Sequence, residues 1–223
     1  MLTLGIDEAG KGPIIGSLFI AGAMFNEEDL SKIKLAGVKD SKLLSHKKRK
    51  ELAKIIENLA VGIKVIQVEP REIDKAVLDD NGFNLNWLEA EKQAEIINQL
   101  KPHRVIIDCP SPNIKAYTSY IKKLIDPILL KTLKLIIEHK ADKNFCECSS
   151  ASIIAKCTRE EEVEKIEKLV GESIGSGYPS NKVCQEFLKE NYEKYPNLIR
   201  KSWSTYKDLI NKKNQKTLEE FKE

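Results

Sequence analysis

No stretch of this 223-residue sequence is long and uncharged enough to cross a bilayer as a helix. The longest uncharged run, Gly12 to Asn26, has 15 residues and contains glycine and proline, whereas a span needs about 20. The acids just before that run also spoil a signal peptide, so a cytoplasmic location is expected. Cysteine is scarce as well: Cys109, Cys146, Cys148, Cys157 and Cys184 are an odd five. None shows the Cys-x-x-Cys spacing with histidines that binds zinc, which leaves reduced, buried thiols. The net charge is small too. At +3, from 37 basic and 34 acidic residues, it does not by itself mark a nucleic-acid partner. Internal repeats and low-complexity tracts are also missing. What remains is a charged chain long enough for one sizeable domain, or one with an appendage, whose core needs no disulfides.

Local patterns say more. Between Lys39 and Lys50 lie six lysines and arginines against one acid, Asp40, which makes either a phosphate-facing patch or a solvated helix face. Short apolar runs predict strands over Leu2–Ile6, Ser17–Phe25, Ile63–Val68, Val105–Ile107 and Leu133–Ile137. Helical spacing joins Leu52, Ile55, Ile56 and Leu59, then Trp87, Ala90, Ala94, Ile97 and Leu100, and a third helix is expected over Ser150–Val170. Two early strands followed by alternating helices and strands predict an α/β fold, a mixed sheet flanked by helices. After Tyr178-Pro179 the strand signals stop, and residues 181–213 read as a helical extension packed on a body of residues 1–180. Residues 214–223 are polar and read as a mobile tail.

The stretch GIDEAGKGP, residues 5–13, places two acids, Asp7 and Glu8, where the first apolar run ends. Asp108 follows Val105-Ile106-Ile107 in the same way, ahead of the loop-forming CPSPN, and Asp142 comes shortly after the fifth strand. Any one of these could be an ordinary loop residue or a helix cap. Acids ending three strands converge, however, if those strands are neighbours. Convergent carboxylates oppose one another's ionisation, and divalent cations relieve that. Two Mg2+ or Mn2+ ions about 3.5–4 Å apart can activate a water and stabilise the leaving oxygen in phosphodiester hydrolysis.

The motifs GIDEAGKGP (5–13), VKDSKLLS (38–45), IIDCPSPN (106–113), EHKADKNFCECSSASIIAK (138–156) and GSGYPSN (175–181) resemble, in order and spacing, those of ribonuclease HII, especially its archaeal form. The resemblance implies a ribonuclease H-like five-stranded fold that cuts the RNA strand of RNA/DNA hybrids. It also implies incision at single ribonucleotides in duplex DNA, leaving 3′-hydroxyl and 5′-phosphate ends. By resemblance the metal-binding acids are Asp7, Glu8, Asp108 and Asp142. Asp7 and Asp108 would bridge or bind the ions, with Glu8 and Asp142 completing the shell.

The same resemblance assigns Gly10, Lys11 and Gly12 to the loop that detects the ribose 2′-hydroxyl, Tyr178 to stacking beneath that sugar, and Lys42 to a phosphate contact. The family's usual Gly-Arg-Gly is Gly-Lys-Gly here, and lysine lacks the forked donor geometry of arginine. Asn84-Leu85-Asn86 also looks familiar, although a helix N-cap accounts for it equally. The Cys146-Glu147-Cys148 segment departs from archaeal relatives and reads as packing variation. In the tail, Gln215, Leu218 and Phe221 are similar to the peptide by which replication and repair proteins bind the sliding clamp, proliferating cell nuclear antigen. Lys222 takes the place of the second aromatic, and a frayed helix end explains the same residues. Ribonuclease HIII carries a further domain ahead of its catalytic one; with acids already at residue 7, none is expected here. A non-catalytic hybrid-binding module is disfavoured because all four acids are present. A monomer is expected.

Overall fold

The structure, a computed structural model, describes residues 1–38 and 44–220, with side chains to residue 213. The chain opens with a hairpin of β1 (Leu2–Ala9) and β2 (Leu18–Asn26), followed by α1 (Leu30–Leu35), α2 (His46–Leu59) and β3 (Gly62–Val68). Next come α3 (Pro70–Val77), α4 (Leu85–Leu100), β4 (Arg104–Asp108), α5 (Ile114–Leu124), the single turn α6 (Pro127–Leu130) and β5 (Lys134–Glu138). The short α7 (Ala141–Asn144) leads into the long α8 (Cys146–Val170), and α9 (Lys182–Asn191) and α10 (Ser204–Glu220) close the chain.

The five strands form one mixed sheet in the order β3-β2-β1-β4-β5. β1 is central. It pairs antiparallel with β2 and parallel with β4, and β4 pairs parallel with β5. All five expected strands are present. The first is longer than Leu2–Ile6, because Asp7, Glu8 and Ala9 still pair with Ala21, Ile20 and Phe19. The two acids therefore sit within the central strand rather than beyond its end.

Alternation along β1 divides the core. Leu4 and Ile6, with Leu18 and Ile20 of β2, face α4 and α5. Ala9, with Ala21, Ala23 and Phe25, faces α2 and α8. The first half of α8 is buried nearly all round, from Cys146 to Ala155. That accounts for its run of small residues, CECSSASIIA, in place of an amphipathic stripe. Gly5 is where this helix comes closest: a Cβ there would lie 2.1 Å from the Glu147 carbonyl carbon. The five cysteines are free thiols and buried.

The C-terminal segment packs on the edge of this body through Phe187, Leu188, Ile199 and Trp203, against Ile14, Ile15 and Ile166. Ile15 and Ile199 form an antiparallel bridge. Among the described residues no helix is long and apolar enough to cross a membrane.

Candidate active site

The same alternation that builds the core sends neighbouring acids in opposite directions. Asp7 shares the α8 side of β1, and parallel pairing of β1 with β4 and of β4 with β5 brings Asp108 and the β5–α7 connection beside it. Lys140 turns that connection in the left-handed conformation (φ 60°) and donates its amide to Asp108 Oδ1 at 2.8 Å. Two residues on, α7 presents Asp142. The outcome is that Asp7, Asp108 and Asp142 each offer an oxygen within 4.8 Å of the others. Asp7 and Asp142 are buried and Asp108 is partly so.

Three carboxylates so close are costly to ionise together. The Asp7 carboxyl is pushed up to about 7, first by burial and then by the charges of Asp108 and Asp142. A hydrogen bond with Ser152 and one from the Glu8 amide, at 2.8 Å, work against that rise. An all-oxygen donor set whose members repel one another suits a hard divalent cation, so Mg2+ or Mn2+ fits these residues.

Glu8 is not in that trio. Strand alternation directs it toward α4, where burial, then the Glu89 and Asp7 charges, hold its carboxyl well above the usual range. Its Oε2 is buried without a hydrogen-bond partner among the described residues. Glu8 nonetheless lines a cavity of about 400 Å3, together with Gly10, Lys11 and Gly12 on one side and Tyr178 on another. Arg49, Lys156, Arg159 and Glu160 complete the cavity wall. Cations therefore gather at its α2–α8 side. The Arg159 guanidinium lies 5.2 Å from the centre of the Tyr178 ring, and a Cβ on Gly12 would lie 3.1 Å from Tyr178 Cε1. Glycine at 12 is what lets the ring close over the loop.

Lys11 is held from inside the protein. Its ammonium donates to Asn86 Oδ1 at 2.8 Å, to Glu89 Oε2 at 2.8 Å and to the Pro110 carbonyl at 3.4 Å. Three acceptors match the three hydrogens of an ammonium. Glu89 is fully buried, which makes this pair an internal strut from the loop to α4. Asn84 caps α4 by accepting from the amides of Asn86 and Trp87, so the N-cap reading of that tripeptide holds, while Asn86 accepts from Lys11. Cys148 is packed under the site with its thiol on the Ile106 carbonyl at 3.2 Å.

Lys42 and Phe221 lie outside the described residues. Gln215 and Leu218 fall on the backbone of α10, with their side chains outside the described set. Several residues of the site carried no signal of their own. Arg49 belongs to the basic run 39–50, and Lys156 ends the fourth motif, but neither was singled out. Glu89 looked like any helix acid. Arg200 looked like any arginine of the extension, yet it is fully buried.

Comparison with known proteins places the fold and the family. The family model for ribonuclease HII matches residues 4–206. A ribonuclease HII of Methanothrix thermoacetophila is 36% identical over 212 residues, covering 94% of this chain and 97% of its own. Among solved structures, ribonuclease H2 from Pyrococcus horikoshii OT3 is similar with a TM-score of 0.84 and 36% identity, covering 95% of this chain and 98% of that one. The PCNA:RNase HII complex from Archaeoglobus fulgidus is similar with a TM-score of 0.79 and 35% identity, covering 93% and 96%.

Proposed function

The chain belongs to the ribonuclease HII family, a family of ribonuclease H endonucleases acting on RNA/DNA hybrids, and from that premise we propose that it incises duplex DNA on the 5′ side of an embedded ribonucleotide. The observation that carries this reading is the adjacency of two features. A three-aspartate cluster suited to divalent metal is linked to a cavity of about 400 Å3 lined by Gly10, Lys11, Gly12 and Tyr178 through Glu8, which lines that cavity and whose carboxyl is raised in part by the Asp7 and Asp108 charges. A ribose differs from a deoxyribose only by its 2′-hydroxyl, so recognition needs donors and acceptors held close to that group.

In this reading Asp7, Asp108 and Asp142 would hold the metal, with Glu8 as a further ligand. Bound divalent ions would supply a water of lowered pKa and charge to offset the departing oxygen, as in two-metal phosphodiester hydrolysis. The water oxygen joins phosphorus and gives up a proton to solvent, the bond from phosphorus to O3′ breaks and O3′ takes a proton from solvent, giving 3′-hydroxyl and 5′-phosphate ends. The chain's own residues orient the duplex. Main-chain groups of Gly10 and Gly12 meet the sugar and phosphate at the cut, and the Tyr178 ring stacks under the ribose. Arg49, Lys156 and Arg159 meet the neighbouring phosphates, with Lys42 contributing a further contact. Because the Lys11 ammonium is engaged by α4, its part in this reading is to brace the loop.

The tail residues Gln215, Leu218 and Phe221 are proposed to dock on a sliding clamp, a reading supported by their spacing and by the clamp complex of the Archaeoglobus relative. Residues 181–213 are proposed as an extension of a catalytic unit spanning 1–180, acting as a monomer in the cytoplasm.

The test is incubation of the protein, with Mg2+ or Mn2+, with a DNA duplex carrying one ribonucleotide, beside an Asp7→Asn variant. One cut 5′ of the ribonucleotide by the parent, at least about 1000-fold slower in the variant, is the expected outcome for loss of a metal ligand. A parent that leaves the duplex intact refutes the proposed incision, and an equally active variant refutes the metal site.

A further inference from the structure

Gly10, Lys11 and Gly12 line the cavity. Several main-chain carbonyls between residues 10 and 16 are held by donors of the C-terminal segment. Arg200, fully buried, donates from Nη2 to the Gly10 carbonyl at 2.6 Å, from Nη1 to the Lys11 carbonyl at 2.9 Å and from Nε to the Gly16 carbonyl at 2.9 Å. Trp203 donates from Nε1 to the next carbonyl, that of Gly12, at 3.1 Å. The two side chains support each other, with the guanidinium 5.0 Å from the indole centre. Around them the backbone is pinned by Arg200 N to Ile14 O, Gly16 N to Leu198 O, and Ile14 N to Gly177 O, the residue before Tyr178.

A guanidinium removed from water must have its donors satisfied. Carbonyls three abreast satisfy the fork in a way a point-charge ammonium does not. The consequence for the loop follows from peptide planarity. In a trans peptide the carbonyl of one residue and the amide of the next point to opposite sides. Holding the carbonyls of Gly10 and Lys11 toward Arg200 therefore turns the amides of Lys11 and Gly12 the other way. Among the described residues nothing accepts from those two amides, and both residues line the cavity.

We propose that Arg200 is the positioning residue for ribose recognition, presenting the amides of Lys11 and Gly12 as fixed donors to the ribonucleotide's 2′-hydroxyl, with Trp203 holding Gly12 in register beneath Tyr178. The inference rests on the proposed incision at ribonucleotides and deepens it. The C-terminal segment becomes part of the device that tells RNA from DNA, acting from behind the loop without touching the substrate.

The experiment measures two quantities for the full chain and for Arg200→Lys and Trp203→Phe. One is KM for a duplex with a single ribonucleotide. The other is Ki for the all-DNA duplex of the same sequence, which is bound through phosphate contacts elsewhere in the cavity. Discrimination is the ratio of Ki to KM. Loss of the guanidinium fork, or of the indole N–H, predicts that this ratio falls at least about tenfold in Arg200→Lys, and about threefold in Trp203→Phe, because KM rises while Ki stays. Mn2+ binding to the carboxylates stays as in the parent. If Arg200→Lys does not fold, Trp203→Phe decides by the same ratio. A ratio unchanged in the folded variants, or KM and Ki rising together, overturns the inference. A parent that does not incise overturns the proposed function and this inference with it, whereas an active parent beside variants of unchanged ratio overturns this inference alone.

Discussion

Replacing Asp7 by asparagine should make the metal-free protein more stable while removing its activity. Asparagine keeps the shape and the acceptor that takes the Glu8 amide and the Ser152 hydrogen bond. It removes a buried charge that Asp108 and Asp142 repel. An Asp7 pKa moved from 3.8 to about 7, at roughly 1.36 kcal/mol per pH unit, sets a ceiling of about 4 kcal/mol on the penalty carried by the ionised form. The sign follows from proton binding. Below pH 3.8 folded and unfolded chains both hold the proton, so Asp7 contributes no difference. From there to about pH 7 the folded protein keeps a proton that the unfolded chain releases, so stability falls as the pH rises, and above about 7 the penalty is complete. Glu8 is also raised, in part by the Asp7 charge, so the difference between the two proteins reports Asp7 together with its share of the Glu8 shift. Urea unfolding in EDTA at pH 4, 6 and 8 is the assay. The variant should match the parent at pH 4 and exceed it by about 1–4 kcal/mol at pH 8. Added Mn2+ should stabilise the parent more than the variant, since ion binding relieves the same repulsion. Parallel pH curves, or a variant less stable than the parent at pH 8 without metal, would refute the electrostatic account of the site.

Gly5→Ala should destabilise the protein by about 3 kcal/mol or more, because a Cβ 2.1 Å from the Glu147 carbonyl carbon must push α8 off β1; urea midpoints that barely move would show that the helix can yield. Lys11→Met should cost about 3 kcal/mol by leaving Glu89 buried without its cation, and a loss below about 1 kcal/mol in the same assay would mean that the strut contributes little. Deleting residues 215–223 should abolish co-elution with a sliding clamp and leave incision in free solution unchanged. Clamp binding that survives the deletion rules out the tail as the docking peptide.

Much of the frame was readable because it rests on local patterns. All five strands announce themselves as apolar runs, and Asn84, Ser45 and Asn181 cap the helices that follow them with their own side chains. Asp108 is legible as the last residue of an apolar strand, and Asp142 by its place just after another. The end of β1 was not legible. Two acids stop an apolar run, but pairing with β2 carries the strand on through Ala9. The strand then treats adjacent acids differently, Asp7 into the aspartate cluster and Glu8 toward Glu89, a split that neither residue type encodes.

By itself, then, the sequence determined which chemistry is present: carboxylates where apolar runs stop, a glycine-flanked loop, and a tyrosine in a Gly-Tyr-Pro turn, all of which depend on residue type and short spacing. Only the tertiary structure decided what each side chain is for. Lys11 meets Glu89 across 78 positions and Arg200 meets Gly10 across 190. A lysine that could have faced a phosphate braces a helix, and an arginine that reads as surface is buried behind the glycine-flanked loop. Such roles depend on which donors and acceptors are left facing one another once the core has closed, and burial over that distance leaves no periodic trace in the chain.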